Sequence, residues 1–288
     1  VRAAISDKEG LLCMITDPVD EALLARAPQL KIVSNFGVGF NNIDIDAATR
    51  KGVLVTNTPG VLTDATADLA MALVLAMGRR VVEADRHTRG GHFKFWAPFY
   101  FLGNEITGKT LGILGMGRIG AAVARRATGF DMTITYHNRT RLSAEAEREM
   151  GVRYLDLETL LHQSDYLSIH VPLTPETHHL IGARELALMK PTAFLINTAR
   201  GPVVDELALL GALQAGRLAG AGLDVYENEP QLTDGLAALN NVILLPHVGS
   251  ATVETRRRMA ALAVENLLAG LEGRTPPNCL NCQQLKGA

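Results

Sequence analysis

Cysteine is scarce. The 288 residues contain three, Cys13, Cys279 and Cys282, an odd and sparse set that describes no disulfide framework, so a reducing, cytoplasmic setting is the expectation. Cys279-Leu-Asn-Cys282 has CxxC spacing but lies in a proline-rich tail, with no second cysteine pair or flanking histidine to complete a zinc site. It reads as two incidental thiols. An excess of one charge is also missing: 28 Lys plus Arg stand against 30 Asp plus Glu, a formal net charge of −2. Nucleic-acid binders are normally basic, so that class loses ground. No long apolar run occurs; Leu69 to Met77, bounded by Asp68 and Arg79, is far short of the ~20 residues a membrane span needs. Aromatic residues make up only 5%, yet half of the eight Phe and the single Trp crowd into residues 90 to 101. Such a cluster on a loop marks a contact surface with another domain or a second subunit.

What is present describes a compact chain: 47% hydrophobic and 20% charged residues exclude a mostly disordered one. At about 150 residues per domain the length gives about two domains. Short apolar or β-branched runs recur at Leu11–Thr16, Lys31–Phe36, Val53–Asn57, Thr110–Leu114, Met132–Tyr136, Tyr166–Val171, Ala193–Asn197, Gly220–Val225 and Val242–Leu245. Most are continuously apolar and each is followed by helical spacing, which predicts parallel strands buried on both faces of an α/β fold. Long helices are predicted over Asp64 to Arg89 and Thr252 to Leu271; the first sets Ala67, Ala70, Met71, Val74 and Met77 on one face. The opening Val-Arg-Ala-Ala-Ile reads as the middle of a helix with no cap before it, so the chain is expected to begin inside a longer protein.

Thr110-Leu-Gly-Ile-Leu-Gly115-Met-Gly117-Arg-Ile-Gly120-Ala-Ala-Val-Ala reads strand, GxGxxG, helix. In that context Gly115 permits the tight turn, Gly117 lets backbone approach a pyrophosphate, and Gly120 permits close helix–strand packing. The end of the next strand decides which dinucleotide is preferred. An NAD site places a carboxylate there for the ribose 2′-hydroxyl, whereas Tyr136-His137-Asn138-Arg139-Thr140-Arg141 offers two arginines and no carboxylate. Arg139 and Arg141 would attract a 2′-phosphate, so NADP(H) is expected over NAD(H).

Several ordered motifs, Ser34-Asn-Phe-Gly37-Val38-Gly39-Phe-Asn-Asn-Ile43-Asp44, Asn57-Thr-Pro-Gly60, the Gly115–Gly120 turn, Asn197-Thr-Ala-Arg200-Gly201-Pro-Val-Val-Asp205, Gly222-Leu-Asp224-Val-Tyr-Glu227-Asn-Glu229-Pro230 and Pro246-His247-Val-Gly249-Ser250, resemble the D-isomer-specific 2-hydroxyacid dehydrogenases over nearly the whole chain. His137-Asn-Arg-Thr-Arg and Trp96-Ala-Pro98 look most like the glyoxylate/hydroxypyruvate reductase branch, with its 2-ketogluconate-reducing relatives. Reducing a 2-oxo acid needs a cation for the carboxylate, a hydride donor and an acid for the developing alkoxide. Arg200 supplies a planar fork, His247 titrates near neutrality, and Glu229 or Glu227 would hold the imidazole and favour its charged form.

The resemblance assigns these roles to Arg200, His247 and Glu229. It further implies that N–H groups around Val38 and Gly39 bind the substrate carboxylate, and that Thr198 and Asp224 hold the nicotinamide amide. It extends the cofactor contacts to Thr66, Arg118, Ile119, Asn138, Thr140, Val171, Pro172, Thr177, Ala199, Gly249 and Ser250. It implies two Rossmann-like domains: a dinucleotide domain over residues 63–253, inserted into a substrate domain of residues 1–62 and 254–288 whose first strand–helix unit would precede this sequence. A homodimer built on the first long helix and the aromatic loop is implied as well, with a small 2-oxo or 2-hydroxy acid as the partner molecule and no metal. His178-His179 has no third ligand at plausible spacing and reads as a polar approach to a helix, and Asp44, Asp68 and Asp205 read as capping or packing partners. The competing readings are an NAD-dependent dehydrogenase of another substrate class within the family, and a nucleotide-sensing corepressor-like binding protein.

Overall fold

The computed structural model describes residues 4 to 286. Of the helix expected at the start, residues 1 to 3 lie outside that range, and Ala4 and Ile5 are not helical. Among the described residues, no helix is long and apolar enough to cross a membrane. The chain divides into two compact units, residues 1–63 with 250–288, and residues 64–249.

The first unit holds β1 (Gly10–Met14), α1 (Glu21–Ala25), β2 (Ile32–Phe36), α2 (Ile45–Arg50) and β3 (Leu54–Thr56). Its three strands are parallel in the order β1-β2-β3. The second unit opens with α3 (Thr63–Gly78) and α4 (Val81–Arg89), then alternates strands and helices: β4 (Thr110–Leu114), α5 (Arg118–Ala127), β5 (Thr133–His137), α6 (Ala144–Met150), β6 (Val152–Tyr154), α7 (Leu157–Gln163), β7 (Tyr166–Ile169), α8 (Ala183–Leu188), β8 (Phe194–Asn197), α9 (Glu206–Gln214), β9 (Gly220–Leu223) and β10 (Val242–Leu244). The chain then returns to the first unit in α10 (Val253–Leu271) and α11 (Cys282–Lys286).

The seven strands of the second unit are all parallel, in the order β10-β9-β8-β7-β4-β5-β6. Successive residues of one strand enter different cores: Leu111 and Ile113 join Tyr166, Phe194 and Ile196, whereas Leu114 joins Leu167, Ile169 and Leu195. Both faces are therefore covered, as continuous apolar runs require. The strand order reverses at β4, between β5 and β7, and such a switch point opens a crevice at the carboxyl ends of the strands.

Three expectations need correction. The long helix over residues 64–89 is two helices, because the Gly78 carbonyl accepts from Asn104 N–H at 2.7 Å instead of from the next turn, and Arg80 adopts φ 53°. Arg80, the residue before the second helix, grips Glu83 of that helix at 2.8 and 2.6 Å and braces its start. A short strand, β6, pairs with β5 and was not visible as an apolar run because its centre is the exposed Arg153. The tail cysteines are not incidental thiols: Cys279 and Cys282 are disulfide-bonded. The backbone around them is held to the sheet, with Leu280 N–H donating to Val55 O at 2.8 Å, Val55 N–H to Asn281 Oδ1 at 2.9 Å, and Cys279 bridged antiparallel to Thr56. Buried Asn281 also donates to Val53 O and Thr49 Oγ1, both at 2.9 Å.

The second long helix is α10, capped by Thr252, whose hydroxyl accepts from Thr255 N–H at 3.1 Å. Such a cap contributes about 1 kcal/mol. Asp44 and Asp205 cap α2 and α9, and Asp68 pairs with Arg126 at 2.5 Å.

Candidate active site

The turn after β4 lies at the switch point. Gly115 has φ 102°, and a Cβ there would stand 2.7 Å from the backbone of His170 and Val171 at the end of β7; only glycine combines that dihedral with that approach. A Cβ on Gly117 would meet nothing within 4 Å, so space lies open at the start of α5, where the free N–H groups of its first turn, beginning with Arg118 and Ile119, favour an anion. Asn138 Oδ1 accepts from Met116 N–H at 2.6 Å and braces the turn. His170 donates its N–H to Leu114 O, and burial drives its pKa down to about 4, so this neighbour of the turn carries no charge at neutral pH.

The two arginines beyond β5 differ. Arg141 is bound bidentately to Glu147 at 2.7 and 2.7 Å and lies over the Tyr154 ring. With the Tyr136 hydroxyl donating at 2.8 Å, it holds the Glu147 carboxyl down at about 2. Arg141 is thus committed to the protein, contrary to the expectation that both arginines face a phosphate. Arg139 and Thr140 remain exposed. In the loop after β7, Thr177 Oγ1 donates to Pro172 O at 2.6 Å and accepts from Thr174 N–H at 2.8 Å, so this residue first closes its own loop, which Val171 begins.

At the other end of the crevice the residues come from the ends of β8, β9 and β10. Asn197 orients the turn after β8, donating to Arg200 O at 2.9 Å and accepting from Ala199 N–H at 3.0 Å. The Arg200 guanidinium donates to Ala199 O at 2.7 Å. Burial lowers its pKa, opposed by the charge of Glu229; a guanidinium stays protonated regardless, so a desolvated cation results, and it would gain from an anionic ligand. Thr198 beside it has a buried hydroxyl oxygen with no partner among the described residues. An orphaned buried hydroxyl at the foot of the crevice, open space at Gly117 and the free α5 terminus fit a bound dinucleotide.

His247 follows β10 with φ 54°. Its ring Nδ1 lies 2.8 Å from Glu229 Oε2, with the two side chains 28% and 26% exposed, sheltered yet reachable by a solute. Glu229 Oε1 also accepts from Tyr226 N–H at 3.0 Å. Burial works against its charge, but His247, that N–H and Arg200 together outweigh it and hold the carboxyl below its ordinary range. Asp224 is placed under this pair. Its two oxygens accept from Val248 and Gly249 N–H at 2.7 Å each, clamping the backbone directly after His247, while burial raises its pKa against those bonds. That positioning role was not read from the sequence, nor was Tyr226, whose hydroxyl donates to Leu245 O at 2.8 Å and ties the ends of β9 and β10. Thr66 lies buried in α3 near Gly249, whose added Cβ would approach its side chain at 3.5 Å.

Val38 and Gly39 belong to the first unit, as does Ser250. Their loop is braced through its carbonyls, with Asn57 and Asn35 donating to Val38 O and Gly39 O at 2.8 Å each. The choice between Glu227 and Glu229, open from spacing, resolves geometrically: Glu229 faces His247, and Glu227 Oε1 pairs with His179 Nε2 at 2.7 Å. His178-His179 therefore does have a neighbouring third donor; the two lie in the turn that leads towards α8, as a polar approach to a helix would. No spacing rule could find it, since the partner is 48 residues away.

The family model described as "D-isomer specific 2-hydroxyacid dehydrogenase, NAD binding domain" matches residues 71–249. The chain belongs to this family. Among curated proteins, the glyoxylate reductase of Thermococcus litoralis is 56% identical over 281 residues, 96% of this chain and 85% of that one. Among solved structures, a glyoxylate reductase from Paecilomyes thermophila superposes with a TM-score of 0.88 at 40% identity, covering 96% of this chain and 85% of that one. An NADPH-dependent glyoxylate/hydroxypyruvate reductase from Sinorhizobium meliloti, in complex with NADP and malonate, gives 0.88 at 38% identity, covering 97% and 86%. These matches place this 2-hydroxyacid dehydrogenase in the glyoxylate reductase branch.

Proposed function

We propose that the protein reduces a small 2-oxo acid, glyoxylate or hydroxypyruvate and by extension 2-ketogluconate, to the D-2-hydroxy acid with NADPH as reductant. The observation that carries this reading is the desolvated Arg200 beside the His247–Glu229 pair, at the carboxyl end of a sheet whose switch point offers a dinucleotide cradle. The nicotinamide, when bound, supplies the hydride. Arg200 binds and orients the substrate carboxylate and carbonyl oxygen through its planar fork. His247, with Nδ1 engaged by Glu229, presents Nε2 as the acid for the developing alkoxide, and the Glu229 carboxylate holds the ring in that orientation. Thr198 and the Gly115–Gly120 turn receive the dinucleotide, in the role of a dinucleotide domain for the second unit, and Arg139 selects the 2′-phosphate. Exposed Phe93, Phe95, Trp96 at 77% and Phe99 at 85% support a homodimer through this loop.

Loss of nicotinamide absorbance with glyoxylate, hydroxypyruvate and 2-ketogluconate, each run with NADPH and NADH, tests the reading. Turnover of at least one acid with NADPH is expected. Turnover with NADH alone would favour an NAD-dependent family member of another substrate class, and binding without turnover a nucleotide sensor. Sedimentation at micromolar protein tests the dimer, with Trp96→Ala expected to weaken it.

A further inference from the structure

We propose that His178, His179 and Glu227 form a binding site for one divalent transition-metal ion of the zinc class. Each contributes one candidate ligand atom, and these atoms lie within 4.8 Å of one another. Two imidazoles and a carboxylate are a zinc donor set, and the exposure of His178 leaves a fourth position to water.

The arrangement is built, not accidental. Side chains of adjacent residues in extended backbone point to opposite sides. Here His179 takes φ 51°, which swings its ring beside that of His178, with centroids 4.1 Å apart. A left-handed residue other than glycine is strained and persists only where its surroundings hold it. The surrounding backbone imposes it: His179 N–H donates to Pro202 O at 2.8 Å, and Ile181 N–H to Val203 O at 3.1 Å.

Glu227 is fixed from behind as well. Its Oε2 accepts from Glu206 N–H in the first turn of α9 at 3.2 Å, and its own N–H donates to Glu206 Oε2 at 2.8 Å. A Cβ on Gly201 would run into the Tyr226 carbonyl, so no other residue allows this approach to the segment carrying Glu227. Oε1 is thereby left facing His179. A tetrahedral ion with bonds of about 2.0–2.1 Å holds its ligands roughly 3.3 Å apart, so the ion enters where the bridging proton now sits, the two side chains parting by roughly half an ångström. The proton on His179 Nε2 passes by way of solvent to Nδ1 of the same ring, so the coordinate bonds form to neutral imidazole nitrogens and the carboxylate.

The test uses the whole chain, freed of metal with a chelator and without nicotinamide, so its outcome is independent of the proposed reductase activity. Cobalt(II) absorption and zinc(II) calorimetry should show one saturable equivalent. His178→Ala, at an exposed position that keeps the fold intact, and Glu227→Gln should each weaken binding by at least ~10-fold. His92→Ala, in a second close pair of rings with His87 at 5.3 Å between centroids, should bind as the parent does. Absence of saturable binding at micromolar metal, or binding left unchanged by His178→Ala, overturns the proposal.

Discussion

Two histidine–glutamate pairs take their glutamates from one segment, two residues apart. His247–Glu229 and His179–Glu227 have donor–acceptor distances of 2.8 and 2.7 Å, and both histidines are left-handed, at φ 54° and 51°. Their surroundings differ. Glu229 has the Tyr226 N–H and the desolvated Arg200 as further partners, whereas Glu227 has an α9 N–H and a second, exposed histidine. On the proposals above, the same pair would take its chemistry from its third neighbour: a desolvated cation would suit the first to an anionic substrate, and another imidazole would make the second a ligand set.

The sharpest way to break this contrast is Arg200→Lys. An ammonium cannot reproduce a planar two-point contact, so kcat/KM in steady-state assays should fall by ~100-fold or more; near-normal turnover would strip the first pair of its distinguishing neighbour. Glu229→Gln should lower kcat by roughly 10- to 100-fold and move the reductive pH optimum toward acid, because the imidazolium loses its counter-charge. An unmoved pH profile would make Glu229 structural. Arg139→Asp should shift the NADPH/NADH ratio of kcat/KM toward NADH by about 10-fold or more, with an unchanged ratio assigning selection elsewhere. Glu227→Gln should leave kcat within about 3-fold and the pH profile in place; if it matched Glu229→Gln, the two pairs would be one unit.

The smallest effect concerns stability. A carboxyl held below its unfolded pKa stabilises the fold at pH values above that pKa, and this is lost as pH falls through the folded value. Glu229 is depressed in this sense. The difference in Tm between parent and Glu229→Gln should therefore be present at pH 6 and shrink below about pH 4; a difference that grows in acid would contradict the sign.

The strands were legible because burial on both faces writes itself as contiguous apolar runs, and the Gly115–Gly120 turn because its parts are adjacent in sequence. The short β6 escaped, since an exposed Arg153 interrupts a run of three. The break between α3 and α4 depends on Asn104 reaching back to the Gly78 carbonyl. Arg141 looked equivalent to Arg139 until the fold gave it Glu147. The histidine pairings lie furthest from reach: Glu227 and Glu229 are the same residue type two positions apart, and it is the fold, with His179 and His247 both held left-handed, that brings each histidine to its own glutamate.

The disulfide-closed turn along β3 has a bearing on solubility. An uncovered strand edge offers unpaired N–H and C=O groups to any passing chain, a route to aggregation. Cys279 to Asn281 occupy those groups on Val55 and cross beside Thr56, so these residues serve the fold as a guard rail against strand addition by neighbouring molecules.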